Sequence, residues 1–138
     1  MPNAIAEGGC ACGAIRYECS AEPVMMAQCH CRDCQKATGG AFVPALAVPT
    51  ASVKITGQPK YYETKGDSGQ TVSRGFCSNC GARLFGKPQV MQQFTVIFAG
   101  SLDDPSWFRP GMDIYTSSAQ PWDHMNPNLP KFPKMPQT

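Results

Sequence analysis

Seven of the eight cysteines in this 138-residue chain fall in three short clusters: Cys10-Ala11-Cys12-Gly13, Cys29-His30-Cys31-Arg32-Asp33-Cys34 and Cys77-Ser78-Asn79-Cys80-Gly81. The opening residues, Met1-Pro2-Asn3-Ala4-Ile5-Ala6-Glu7, have neither the basic n-region nor the apolar h-region of a secretory leader, and no stretch is long enough to span a bilayer. The expectation is therefore a cytosolic protein. In a reducing compartment clustered thiols bind metal or carry redox chemistry more often than they form disulfides, and the spacing here points to metal. Two clusters end in glycine, which admits the backbone angles of a tight knuckle whose N–H groups face the thiolates.

A structural zinc takes four ligands, so two clusters must combine to close a site. Spacing leaves two pairings open. In one, Cys31, Cys34, Cys77 and Cys80 form an ordinary zinc ribbon, and Cys10, Cys12 and Cys29 are reduced thiols without a role. In the other, Cys10, Cys12, Cys77 and Cys80 close a site and leave Cys29, Cys31 and Cys34 together. The second division uses all seven cysteines and separates four from three. That split corresponds to a closed structural zinc and a catalytic zinc with one exchangeable position.

The rest of the chain reads as short strands and turns. The length of 138 residues argues for one domain over residues 1–138, and thirteen glycines and thirteen prolines in so short a chain argue for many turns and few long helices. Alternation predicts a strand at Ile15–Cys19, with Cys19 on its apolar face as a buried, inert thiol. Further strands are predicted at Val24–Gln28, Phe42–Val48, Val53–Ile55, Lys60–Thr64, Gln70–Phe76, Ala82–Phe85, Phe94–Ala99 and Ile114–Thr116. Pro44 marks the Phe42–Val48 segment as an edge strand, and Lys65-Gly66-Asp67-Ser68-Gly69 as a whole suits a hairpin loop. Helical turns are expected only after Cys34 and at Asp103–Phe108. From Pro121 five prolines predict an extended surface tail. Met25, Met26, Met91 and Met112 read as packing residues.

The formal charge of +2, with no run of Lys or Arg, argues against a nucleic-acid partner. No serine triad, phosphate loop or dinucleotide fingerprint is present.

Glu7–Tyr17, the stretch Cys-His-Cys-Arg-Asp-Cys-Gln-Lys-Ala-Thr-Gly-Gly at 29–40, and Gly-Phe-Cys-Ser-Asn-Cys-Gly at 75–81 closely resemble the three motifs of the glutathione-dependent formaldehyde-activating family, in order and interval. The resemblance runs from about Glu7 to Trp122. It implies an all-β fold of zinc-bound antiparallel sheets splayed like a tent, shared with centromere protein V and a Rab-binding zinc protein. It also implies two zinc ions per chain, structural at Cys10, Cys12, Cys77 and Cys80, catalytic at Cys29, Cys31 and Cys34. The family's named reaction is condensation of glutathione with formaldehyde to S-(hydroxymethyl)glutathione, so a small-molecule thiol, glutathione or a conjugate of it, is the partner implied.

Three thiolates and a substrate thiolate around Zn²⁺ carry a net charge of −2, which suits activation of a thiol better than activation of water. His30 sits between two ligands in an extended segment, so its side chain should point away from the metal. Thr38-Gly39-Gly40 offers backbone N–H groups to a carboxylate, and Arg32 and Lys36 offer charge, though each also reads as solvated surface. Trp122 reads as a pocket wall or as packing for the tail, and His124 as a residue that reaches the site if the tail folds back or stays in solvent. The rival to an enzyme is a non-catalytic zinc module of the same fold that binds a protein, against which the third cysteine trio speaks. A lyase or transferase acting on other glutathione adducts would use the same zinc.

Overall fold

The computed structural model describes residues 4–66 and 69–136. Its strands are β1 (Ala6–Gly9), β2 (Arg16–Cys19), β3 (Met25–Cys29), β4 (Val43–Pro49), β5 (Val53–Thr56), β6 (Lys60–Lys65), β7 (Thr71–Phe76), β8 (Arg83–Pro88), β9 (Phe94–Phe98) and β10 (Asp113–Ile114). One α-helix, α1 (Arg32–Thr38), follows β3. β1, β2 and β5 form a small sheet, and the other seven form a large one in the order β10-β3-β4-β9-β8-β7-β6. The fold is thus mostly β and, apart from β10 beside β3, antiparallel. No helix among the described residues is long and apolar enough to cross a membrane.

Side chains alternate across a strand, so the register sorts the large sheet into two faces. Leu46, Ile97 and Phe85 line up across β4, β9 and β8. They pack in one core with Ile15, Tyr17 and Cys19 of the small sheet. Tyr17 is 1% exposed; its hydroxyl hydrogen-bonds Ser101 Oγ at 2.7 Å while its ring meets Phe85 edge-on. This satisfies the polar tip of an otherwise apolar contact. On the opposite face Cys29, Val43, Ala27 and Phe98 pack with Cys34 of α1 and with Ile114. Two layers therefore cover the large sheet, the small sheet on one side and the short helix on the other.

Several expectations need correction. β4 is an interior strand between β3 and β9, not an edge. Pro44 is tolerated because it is the second residue of β4, one position outside the Ala45–Pro49 stretch that β9 pairs with. The last strand is Asp113–Ile114, not Ile114–Thr116, because Tyr115 turns the chain with φ 57°. β1 was not predicted: Ala-Glu-Gly-Gly has weak strand character, and pairing with β2 creates the strand. Gly8 is required there, since a Cβ would lie 2.3 Å from Tyr17 Oη. The β6–β7 hairpin forms as expected, with Gly66 accepting from Gly69 N–H; Asp67 and Ser68 of its loop lie outside the described residues. Met25, Met26 and Met112 pack against the cores, whereas Met91 is 39% exposed. The proline-rich tail is not simply extended but runs through turns and bends, and it pairs with the sheet edge: Asp113 N–H donates to Pro130 O and Phe132 N–H to Asp113 O.

Candidate metal centres

The turn between β1 and β2 carries Cys10 and Cys12, and the turn between β7 and β8 carries Cys77 and Cys80. Packing the small sheet on the large one brings these two hairpin ends together. Cys10 Sγ lies 3.7 Å from Cys12 Sγ, and Cys12 Sγ 3.7 Å from Cys77 Sγ. Four thiolates around a metal with bonds of about 2.3 Å stand about 3.8 Å apart, so the quartet has the dimensions of a metal tetrahedron. Gly13 and Gly81, with φ 83° and 78°, turn the chain behind each pair. The Ile15 N–H donates to Cys10 Sγ at 3.2 Å. Backbone N–H groups of Ala82 and Cys12 pull the Cys80 thiol down to about 6.

Cys29 ends β3, Cys31 caps α1 and Cys34 lies one turn into it. The helix begins at Arg32, three residues earlier than expected, because Cys31 Sγ accepts the Cys34 N–H at 3.3 Å as a side-chain N-cap. The cysteine spacing is thus a helix-start device as well as a donor set. The three Sγ atoms lie within 4.8 Å of one another, and no fourth His, Cys, Asp or Glu among the described residues joins them. Of the two pairings open at the sequence level, the structure assembles the quartet plus the trio.

The trio's charge is self-limiting without a cation. Hydrogen bonds from Cys29 and Cys34 hold the Cys31 thiol down at about 2. The same bonds to Cys31 and Cys34, with burial, push Cys29 far up. At Cys34 the Cys29 hydrogen bond pulls down, but the Cys31 bond and burial outweigh it and lift the thiol to about 12. A metal held by all three must therefore displace protons from Cys29 and Cys34, whose thiols are pushed up. We expect metal affinity at the trio to fall about 100-fold for each pH unit lost near neutrality, because two protons compete per metal. Metal titrations at a series of pH values check this, and a slope below one proton would contradict it.

His30 points away from the trio, as its place between two ligands predicts. It is fully buried, with Nε2 on Asp113 Oδ1 at 2.8 Å and Nδ1 on Asp123 Oδ2. Lys131 Nζ reaches Asp113 Oδ2 at 3.2 Å, and Gln35 Nε2 donates to His30 O at 2.7 Å. This network ties the tail and β10 to the backbone between Cys29 and Cys31. The sequence reading missed Asp113, Asp123 and Gln35; a histidine between two metal ligands, which needs partners of its own when buried, was the available signal.

Arg74, also unforeseen, puts both Nη atoms 3.9 Å from Cys34 Sγ. The Gly39 N–H closes the helix on Gln35 O, and the Gly40 N–H donates to Thr38 Oγ1 at 3.1 Å. Trp122 is 60% exposed and His124 is exposed. Among the described residues Arg32 hydrogen-bonds Gln35 Oε1 of its own helix, and Lys36 is exposed. A cavity of about 380 Å³ lies between the end of α1 and the second knuckle, lined by Thr38, Pro44, Gly81, Arg83, Phe98 and Ser101 among others.

Two packed, largely antiparallel sheets with one four-cysteine and one three-cysteine group define a small, mostly β protein with two groups that could each hold a metal ion. Residues 5–118 match the model of the family described as glutathione-dependent formaldehyde-activating enzyme, and the chain belongs to that family. It is 29% identical over 93 residues to a protein of Talaromyces marneffei named for the same family, a match over 65% of this chain and 49% of that one. The chain thus spans about half the length of this relative. A crystal structure of a Rhodobacter sphaeroides protein has the same fold, with a TM-score of 0.58 at 14% identity over 91% of this chain and 98% of the other.

Proposed function

We propose that this single-domain protein is a zinc-dependent carbon–sulfur lyase/synthase acting on glutathione adducts of small carbonyl compounds such as formaldehyde. Zinc is assigned to both cysteine groups, two per chain, structural at Cys10, Cys12, Cys77 and Cys80 and catalytic at Cys29, Cys31 and Cys34. In the forward reaction the sulfur lone pair adds to the carbonyl carbon. The carbonyl π pair moves to oxygen, which takes the proton given up by the thiol. The product is S-(hydroxymethyl)glutathione, and the reverse breaks the same C–S bond.

The observation that carries this reading is the contrast between four converging thiols and three. When bound at the trio, zinc supplies the charge that keeps a substrate sulfur as thiolate at neutral pH. The protein's part is to hold three sulfurs on one side and to keep His30 engaged elsewhere, so that the fourth position is left to substrate. The cavity beside α1 suits the peptide body of a thiol such as glutathione, with Arg83 as the cation for a carboxylate. Gly40 receives a carboxylate only if Thr38 releases its N–H, and Gly39 only if the helix cap opens. Trp122 and His124, exposed on the segment anchored by Asp123, are further candidates for the site's wall. All eight cysteines are free, the state a reducing cytoplasm maintains, and we place the protein there.

Protein saturated with metal should hold two zinc ions, and in cobalt-substituted protein glutathione should add a sulfur-to-metal charge-transfer band. Adduct turnover should vanish when the trio is emptied. A saturated stoichiometry of one, or two filled sites at which no thiol alters the spectrum, would replace this reading with that of a zinc module for protein binding.

A further inference from the structure

Arg74 lies in β7 and is only 8% exposed. Its Nε donates to Thr64 Oγ1 at 3.3 Å, and both Nη atoms face Cys34 Sγ at 3.9 Å. None of the ion pairs among the described residues includes it. A guanidinium cannot shed its proton, and a buried cation is strongly unfavourable unless an anion faces it. The anion this structure brings to Arg74 is the cysteine trio.

The pairing has a consequence for the fourth position, provided that position is metal-bound and open as proposed above. Three thiolates on a divalent metal carry −1. A neutral fourth ligand leaves that charge unchanged, whereas an anionic one raises it to −2. A cation locked against the trio therefore favours the anionic ligand over the neutral one. We propose that Arg74 is the counter-cation of the Cys29, Cys31 and Cys34 centre, and that it makes the open position select an anion, thiolate foremost, over neutral donors. Arg74 acts through Cys34 and is in this sense a positioning residue. Its fixed fork, anchored by Thr64, reaches one sulfur with two donors, which lysine does not reproduce.

The test uses cobalt-substituted full-length protein titrated with glutathione, azide and imidazole. Arg74→Gln should weaken both anions by about 30- to 100-fold relative to imidazole, the scale of one unit charge at a few ångströms in a partly buried site. Arg74→Met removes the charge with an apolar side chain of similar reach, which buried sites tolerate, and serves if the glutamine variant folds poorly. Arg74→Lys should recover part of the anion preference. An anion-to-imidazole ratio within about twofold of wild type in the folded neutral variant overturns the proposal, while the thiol-activation reading survives. If glutathione never binds but azide preference falls with Arg74, the counter-cation role stands and the thiol reading fails. If no ligand binds wild type, both are wrong.

Discussion

Cys77→Ser should leave a protein that unfolds or aggregates at temperatures where the wild type is folded, with a midpoint at least about 20 °C lower. Cys77 is 2% exposed and meets Cys12 across 65 residues of chain. A metal held there ties the end of the β1–β2 hairpin to the end of the β7–β8 hairpin, and so ties the small sheet to the large one. Binding free energies of structural zinc in zinc-finger peptides are about 10–16 kcal/mol near pH 7, comparable to the roughly 5–15 kcal/mol by which a whole domain is stable. Thermal unfolding at fixed zinc, followed by circular dichroism with metal content measured in parallel, checks this. A midpoint within a few degrees of wild type would show that the apolar core between the sheets suffices and that the quartet is not structural.

The second large effect separates chemistry from architecture. In Cys31→Ser, turnover and thiol binding should fall by about 1,000-fold or more while the fold persists, because the metal loses a thiolate but the helix keeps its cap. Cys31 Sγ accepts the Cys34 N–H, and serine is among the preferred residues for that role. The variant is therefore a cleaner test than a change at Cys34, whose buried side chain also packs against the sheet and Arg74. Metal content should fall from two to one with the melting midpoint shifted by only a few degrees. Undiminished turnover with one metal would remove the trio from the reaction.

These two variants also mark how far the sequence reads on its own. The candidate donors were visible, as seven clustered thiols and two glycine-closed knuckles, but their spacing left open which of them combine. Most strands were visible too, because their alternation of apolar and polar residues is local, as at Ile15, Tyr17 and Cys19. The direction of the His30 side chain followed from the extended backbone between two ligands. The resemblance carried by the three motifs correctly placed the chain in its family.

Other features depended on partners far along the chain. β1 exists because β2 pairs with it, and Pro44 sits inside an interior strand because the β9 partner stops one residue short. Local propensity has no access to either fact. Asp123 looked like part of a solvated tail, but its carboxylate meets a histidine 93 residues earlier. Arg74 looked like one arginine in a hairpin arm, and only the stacking of α1 on the large sheet puts it against Cys34, 40 residues away.

Residue type and spacing alone thus determined which atoms could bind a metal and how many there were, because the donor chemistry of cysteine and the geometry of a knuckle are local properties. Tertiary structure decided which knuckles meet, that four sulfurs converge in one group and three in the other, and that a buried cation faces the group of three. Those outcomes depend on how two sheets and a helix stack, and stacking is set by the burial of apolar faces whose members are scattered along the whole chain.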